Sequence, residues 1–104
     1  MALTRLYKET LFARIKRDAE FRVVLLREAV ETLLSGDVET GKVVLRDYIN
    51  ATIGFERLSE KVKIPSKSLM RMFGPSGNPQ AKNLFAVIRV LQKHAGVELH
   101  IAAE

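Results

Sequence analysis

Apolar residues return at three- and four-residue intervals along most of the chain, the spacing of helices that lie on a core. Residues 4–17 open the pattern, with Tyr7, Leu11 and Ile15 stacked at i+4 and Phe12 beside them. Asp18 suits an N-cap, where a carboxylate accepts orphan backbone N–H groups, and predicts a second helix over 19–34. The apolar residues of that helix (Phe21, Val24, Leu25, Val30, Leu33 and Leu34) wrap around more than one face, so it should be covered on two sides. Ser35 and Gly36 stop it, with Gly36 at the C′ position. Asp37 then caps a third helix over 38–51, whose core stripe is Val44, Leu45, Tyr48 and Ile49. Gly41 inside that helix costs up to about 1 kcal/mol against alanine, and its bareness permits another helix to approach closely. Residues 52–54 break the period.

The stretch 55–73 organises the rest. Leu58 and Val62 put apolar side chains on one face of a short helix, and Leu69, Met72 and Phe73 do the same for a second. Lys63, Ile64 and Pro65 interrupt the period between them. Pro65 lacks an N–H and has a fixed φ, so it suits the mouth of a new helix, and Ile64 can plug the corner. Ser66, Lys67, Ser68 and Arg71 are left facing outward. This is the layout of a helix-turn-helix, whose second helix enters the DNA major groove. The helix over 38–51 should pack across its back. Residues 74–79 form a loop dense in turn residues. A last helix covers 80–94, with Leu84, Phe85, Ile88 and Leu91 on its buried face and Gly96 at its end. Residues 97–101 alternate apolar and polar, a strand signature. A lone strand leaves an unpaired edge, so it is expected to pair with its own copy across a two-fold axis or with a partner's sheet.

The run LSEKVKIPSKSL at 58–69 resembles the helix-turn-helix of phage-repressor-like (Xre-type) regulators. GPSGNP at 74–79, NLFAVI at 83–88 and GVELHI at 96–101 are similar to the tail of HigA-type antidotes of toxin–antitoxin modules. The likeness spans about residues 37–101. It implies a repressor that regulates its own operon, neutralises a ribonuclease toxin of the RelE/HigB type, and lays the 74–79 loop beside the DNA backbone. One position departs from the family: its turn glycine is Lys63 here, and a left-handed backbone costs a lysine roughly 1 kcal/mol.

Charge changes the picture more through its placement than its total. The 104 residues carry a net charge of +5. No Asp or Glu falls between positions 61 and 97, whereas Lys61, Lys63, Lys67, Arg71, Lys82, Arg89 and Lys93 do. The remainder holds ten basic against twelve acidic residues. A one-signed segment coinciding with the helix pair is the footprint of a phosphate-facing surface; a plain solvated basic face is the alternative. With no cysteine there is no disulfide framework and no thiolate metal site. His94 and His100 lack partners at metal-ligand spacing. No nucleophile–base pair or convergent carboxylates occur, and Glu56, Arg57 and Glu60 suit a helix surface, so neither an enzyme nor a cofactor is expected. No apolar run approaches the ~18 residues that span a bilayer, and the first twelve residues, MALTRLYKETLF, mix charge into their apolar positions, unlike a secretory signal. A soluble cytoplasmic protein without a membrane partner is the expectation.

Lys67 and Arg71 stand one helical turn apart. Arginine can fork onto guanine O6 and N7, and lysine can reach guanine or phosphate. Ser66 and Ser68 suit phosphates or base edges, Ser66 also suits a cap, and Met70 suits a thymine methyl or the rim of the core. Lys61, Lys63 and Lys82 suit phosphate contacts, which position a protein without reading sequence. The expected architecture is one all-α domain with a repressor-like helix-turn-helix: a helical arm of two extra helices over 1–36, the core over 37–95, and the strand and tail over 96–104. A homodimer would place two recognition helices about 34 Å apart on a palindromic operator in double-stranded DNA. Two other readings remain: an interaction protein that holds a RelE/HigB-like toxin through its apolar arm, and a stand-alone repressor without a toxin. RNA binding lacks a basic-aromatic platform for unstacked bases.

Overall fold

Six helices follow one another in the computed structural model, which describes residues 2–103, with side chains from Leu6 onward. They are α1 (Ala2–Arg17), α2 (Ala19–Leu34), α3 (Val38–Ala51), α4 (Phe55–Val62), α5 (Ser66–Met72) and α6 (Ala81–Ala95). The all-α expectation holds, and the bounds of α2 and α3 are those read from the sequence. Their caps explain why. The Asp18 carboxylate accepts from the Phe21 N–H at 3.1 Å, and that of Asp37 from the Thr40 N–H at 3.2 Å. Hydrogen bonding by Thr40, side chain first and backbone second, holds the Asp37 carboxyl below the usual aspartate range. The stability it contributes is therefore full above that range and is lost as pH falls through the lowered value.

α2 packs along α3, touches α1, and reaches α6. A Cβ on Gly41 would lie 2.5 Å from Leu33 Cδ2 and 2.7 Å from its Cγ, so the bare glycine sets how closely α2 and α3 approach. The core runs from Leu26 and Ala29 of α2, through Leu45, Tyr48 and Ile49 of α3, to Leu58, Leu69, Phe73, Val87 and Leu91. α4 packs on both α5 and α6. The rings of Phe55 and Phe73, 6.3 Å apart and inclined at 51°, tie the start of α4 to the end of α5. A radius of gyration of 13.4 Å is close to the ~13 Å of a single packed body of about 100 residues.

Two aromatic residues expected inside are outside. Tyr7 is 67% exposed, because α1 meets the core through its C-terminal end, where Ile15 is fully buried. Phe85 is 61% exposed. The buried stripe of α6 is Leu84, Val87, Ile88 and Leu91, and Phe85 sits roughly 110° round from its centre at 3.6 residues per turn.

The expected strand is also absent. Residues 97–103 form neither helix nor strand, and no sheet occurs among the described residues. The segment runs back along α6 instead. The Val97 N–H donates to Gln92 O at 3.0 Å and the Leu99 N–H to Gln92 Oε1 at 2.7 Å. Val97 and Leu99 pack against the core, while Glu98 and His100 are exposed, and the cover ends there, with Ile101 83% exposed. Alternation marks a segment with one covered side, and here a helix does the covering. No described helix is long and apolar enough to cross a membrane.

Candidate nucleic-acid interface

α4 ends in a three-residue corner built to turn the chain sharply. Lys63 closes the helix in the left-handed region, at φ 60° and ψ 42°. Lacking glycine's freedom, it stores about 1–2 kcal/mol of strain there. The bonds around it hold the conformation. Its N–H donates to Ser59 O at 2.8 Å, and the Ser59 hydroxyl donates to Ile64 O. Val62 and Ile64 pack half-buried against the core.

Pro65 then occupies the N-cap of α5 with no side-chain cap bond. Ser66 accordingly does not cap, and it is half-buried at the start of the helix rather than fully outward. Lys67, Ser68, Met70 and Arg71 are exposed, while Leu69 is buried and Met72 half-buried. The rod is thus anchored along one side and presents two cations one turn apart on the other. Lys61 in the last turn of α4, Lys63 at the corner and Lys82 in the first turn of α6 are also exposed.

Three residues of the 74–79 loop join the face of α5. Ser76, Gly77 and Asn78 line a shallow hollow of about 260 Å³ together with Ser68, Arg71 and Met72. Lys61, Lys63 and Lys82 are not among its lining residues. The loop is fixed by two residues that the sequence pattern does not single out. Lys42 of α3, only 2% exposed, donates from Nζ to Gly77 O at 2.6 Å and Gly74 O at 3.1 Å. Its charge is balanced by Glu39 at 2.8 Å. Gly77 lies so close to the end of α5 that a Cβ there would fall 2.1 Å from Arg71 O and 2.4 Å from Met72 O. Spacing shows Glu39 and Lys42 only as an i, i+3 pair, ordinary on a helix surface. Gly77 looks like one more turn residue.

The electrostatics are one-sided. Ion pairs among the described residues join Arg14 to Asp18, Arg27 to Glu31, and Lys42 to Glu39, all ahead of position 61. Neither α5 nor α6 has an acid in its first turn. Lys67 and Lys82 stand there instead, where the helix dipole opposes a cation by roughly 0.3–1 kcal/mol. These lysines weaken their own helices, and no described ion pair compensates them. Such a surface can hold a polyanion. No group of three or more His, Cys, Asp or Glu that could hold a metal occurs among the described residues. No family model, curated protein or solved structure matches the chain.

Proposed function

We propose that this chain is a sequence-specific regulator of transcription that binds double-stranded DNA, with α4, the corner at 63–65 and α5 working as a helix-turn-helix. The observation that carries this reading is the exposed Lys67–Arg71 face of α5, anchored by buried Leu69 and Phe73, within a 61–97 stretch without an acid. In the complex α5 lies in the major groove. Arg71 and Lys67 select bases, and Ser68 contacts a base edge or phosphate. Lys61, Lys63 and Lys82 bind flanking phosphates, which makes affinity fall with salt. Half-buried Ser66 contributes only from the first turn of α5. Two copies on a palindromic operator repress the promoter they cover. The resemblance to HigA-type antidotes supports taking that promoter as the one of a toxin–antitoxin operon.

The test is a binding selection from random duplex DNA, followed by footprinting on the selected operator. Arg71→Ala is expected to lose about 1–3 kcal/mol of operator affinity and relax one base position, with its far-ultraviolet circular dichroism unchanged. An identical footprint and affinity in that variant would refute the assignment.

A second reading rests on a different observation. Leu6, Tyr7, Val24 and Leu34 of the arm are exposed, more apolar surface than a DNA-reading unit needs. In that reading the arm holds a RelE/HigB-like toxin, and DNA binding is secondary or absent. Co-purification with the product of the adjacent gene separates a toxin-holding chain from a stand-alone repressor, which elutes as a homodimer without it, and operator binding by the chain freed of that product separates the two readings.

A further inference from the structure

A second cleft shares no lining residue with the hollow beside α5. Its volume is about 430 Å³, and it opens where the end of α1, the start of α2 and the ends of α3 and α6 converge. Lys16, Arg22 and His94 bring three basic side chains to it, and no acidic residue lines it. Val23 and Ala51 contribute apolar wall. Tyr48 forms part of the lining as well, and its position is unusual. It is fully buried, and its hydroxyl has no hydrogen-bond partner among the described residues. A buried polar atom without a partner is rare and asks for an explanation.

Part of the backbone around the cleft is already engaged. Arg22 Nη1 already donates to Ile15 O and Lys16 O at 2.8 Å each, closing the end of α1. The Thr52 hydroxyl donates to Tyr48 O at 2.7 Å. At the end of α6, Gln92 O and Lys93 O accept from Val97 and Gly96. Burial pushes the Tyr48 phenol above its ordinary value, against the opposing pull of the Arg22 charge, so at neutral pH the hydroxyl keeps its proton and can donate.

From this combination of cationic rim, apolar wall and orphan hydroxyl we infer that the cleft is a binding site for a small organic anion. Its carboxylate or phosphate group would sit between Arg22, Lys16 and His94 and accept from Tyr48 Oη, with its apolar body against Val23 and Ala51. None of these residues belongs to the α4–α5 face, so the site stands whether or not the chain binds DNA. Thr52 closes the end of α3 immediately ahead of α4, and an occupant there would stiffen the junction between the arm and the helix pair.

Benzoate and phenyl phosphate are the two probes, titrated into the full chain at constant ionic strength up to about 20 mM. Backbone amide resonances of residues 16–23, 48–52 and 94–95 are expected to shift and saturate. Tyr48→Phe removes one charge-assisted hydrogen bond and should weaken binding about tenfold, while melting no lower than the parent because it deletes an unpartnered group. His94→Gln should weaken binding by a smaller factor. A response to phenyl phosphate alone assigns a phosphate ester, and one to benzoate alone assigns a carboxylate. The inference is overturned if neither probe saturates these resonances, if Tyr48→Phe binds as well as the parent, or if the shifts fall on residues 61–82 instead.

Discussion

α2 and α3 each begin with an aspartate cap and carry a glutamate in the first turn. α5 and α6 begin with proline and glutamine, without a side-chain cap bond, and carry Lys67 and Lys82 where those glutamates would be. At their N-termini the first pair of helices follows the rules that stabilise helices in isolation. The second pair breaks them at both N-termini and at a left-handed lysine between α4 and α5. Both regions share one core, so packing does not explain the difference. On the DNA-binding reading proposed above, what separates them is what each surface must meet. A surface facing only water can place charge for helix stability, whereas a surface that meets phosphates has to place it for the ligand.

If so, the second region must be held by contacts other than its own caps, and the loop contacts at 74–77 are the place to break it. Gly77→Ala is expected to have the largest effect. The new methyl would meet the carbonyls of Arg71 and Met72, which are backbone and cannot swing aside. Destabilisation of roughly 3 kcal/mol follows, read as a lowered midpoint in urea at unchanged slope. A drop below about 0.5 kcal/mol would show that the loop moves freely over α5.

Lys42→Met comes next. It keeps the buried stem but removes the donor shared by Gly74 O and Gly77 O and leaves Glu39 unpaired. The expected loss is about 1.5–3 kcal/mol, the range for hydrogen bonds to a charged group. Operator affinity should fall further than stability alone explains, because the hollow holding Ser68 and Arg71 loses one wall. Equal operator affinity in the folded variant would separate the loop from recognition.

How much of this was open to reading from the sequence follows the same divide. α2 and α3 are legible end to end, since Asp18, Asp37 and the apolar period all point the same way. The exposed Lys67, Ser68 and Arg71 follow from the period alone, because a short helix with Leu69 and Phe73 inward has only one side left for them. Lys42 is not legible. Its burial depends on a loop 32 positions later folding back over α3, and no local spacing encodes that. The 97–101 segment shows the limit from the other side. Its alternation marks Val97 and Leu99 as covered but fails at Ile101, which is exposed; alternation does not name the covering partner, and Gln92 takes the hydrogen bond that a second strand would have taken. Phe85 fails for a geometric reason, since a helix stripe of Leu84, Val87, Ile88 and Leu91 is full without it.

Lys82→Glu sharpens the comparison with the smallest change in stability. Replacing a cation by an anion in the first turn of α6 turns an unfavourable dipole contact into a favourable one, worth roughly 0.5–1 kcal/mol in all. Lys82 is exposed and has no described ion pair to lose. A helix shaped only by its own stability would therefore be improved at no loss elsewhere. A surface shaped by phosphate would pay in affinity, with the slope of log K against log salt falling by about 1 or slightly more, because one contact is lost and a repulsion gained. The two measurements pull in opposite directions, a higher urea midpoint and a weaker, less salt-sensitive complex. A variant that is more stable and binds duplex DNA with the parent's affinity and slope would leave Lys82 outside the interface, and with it the explanation offered for the first turn of α6.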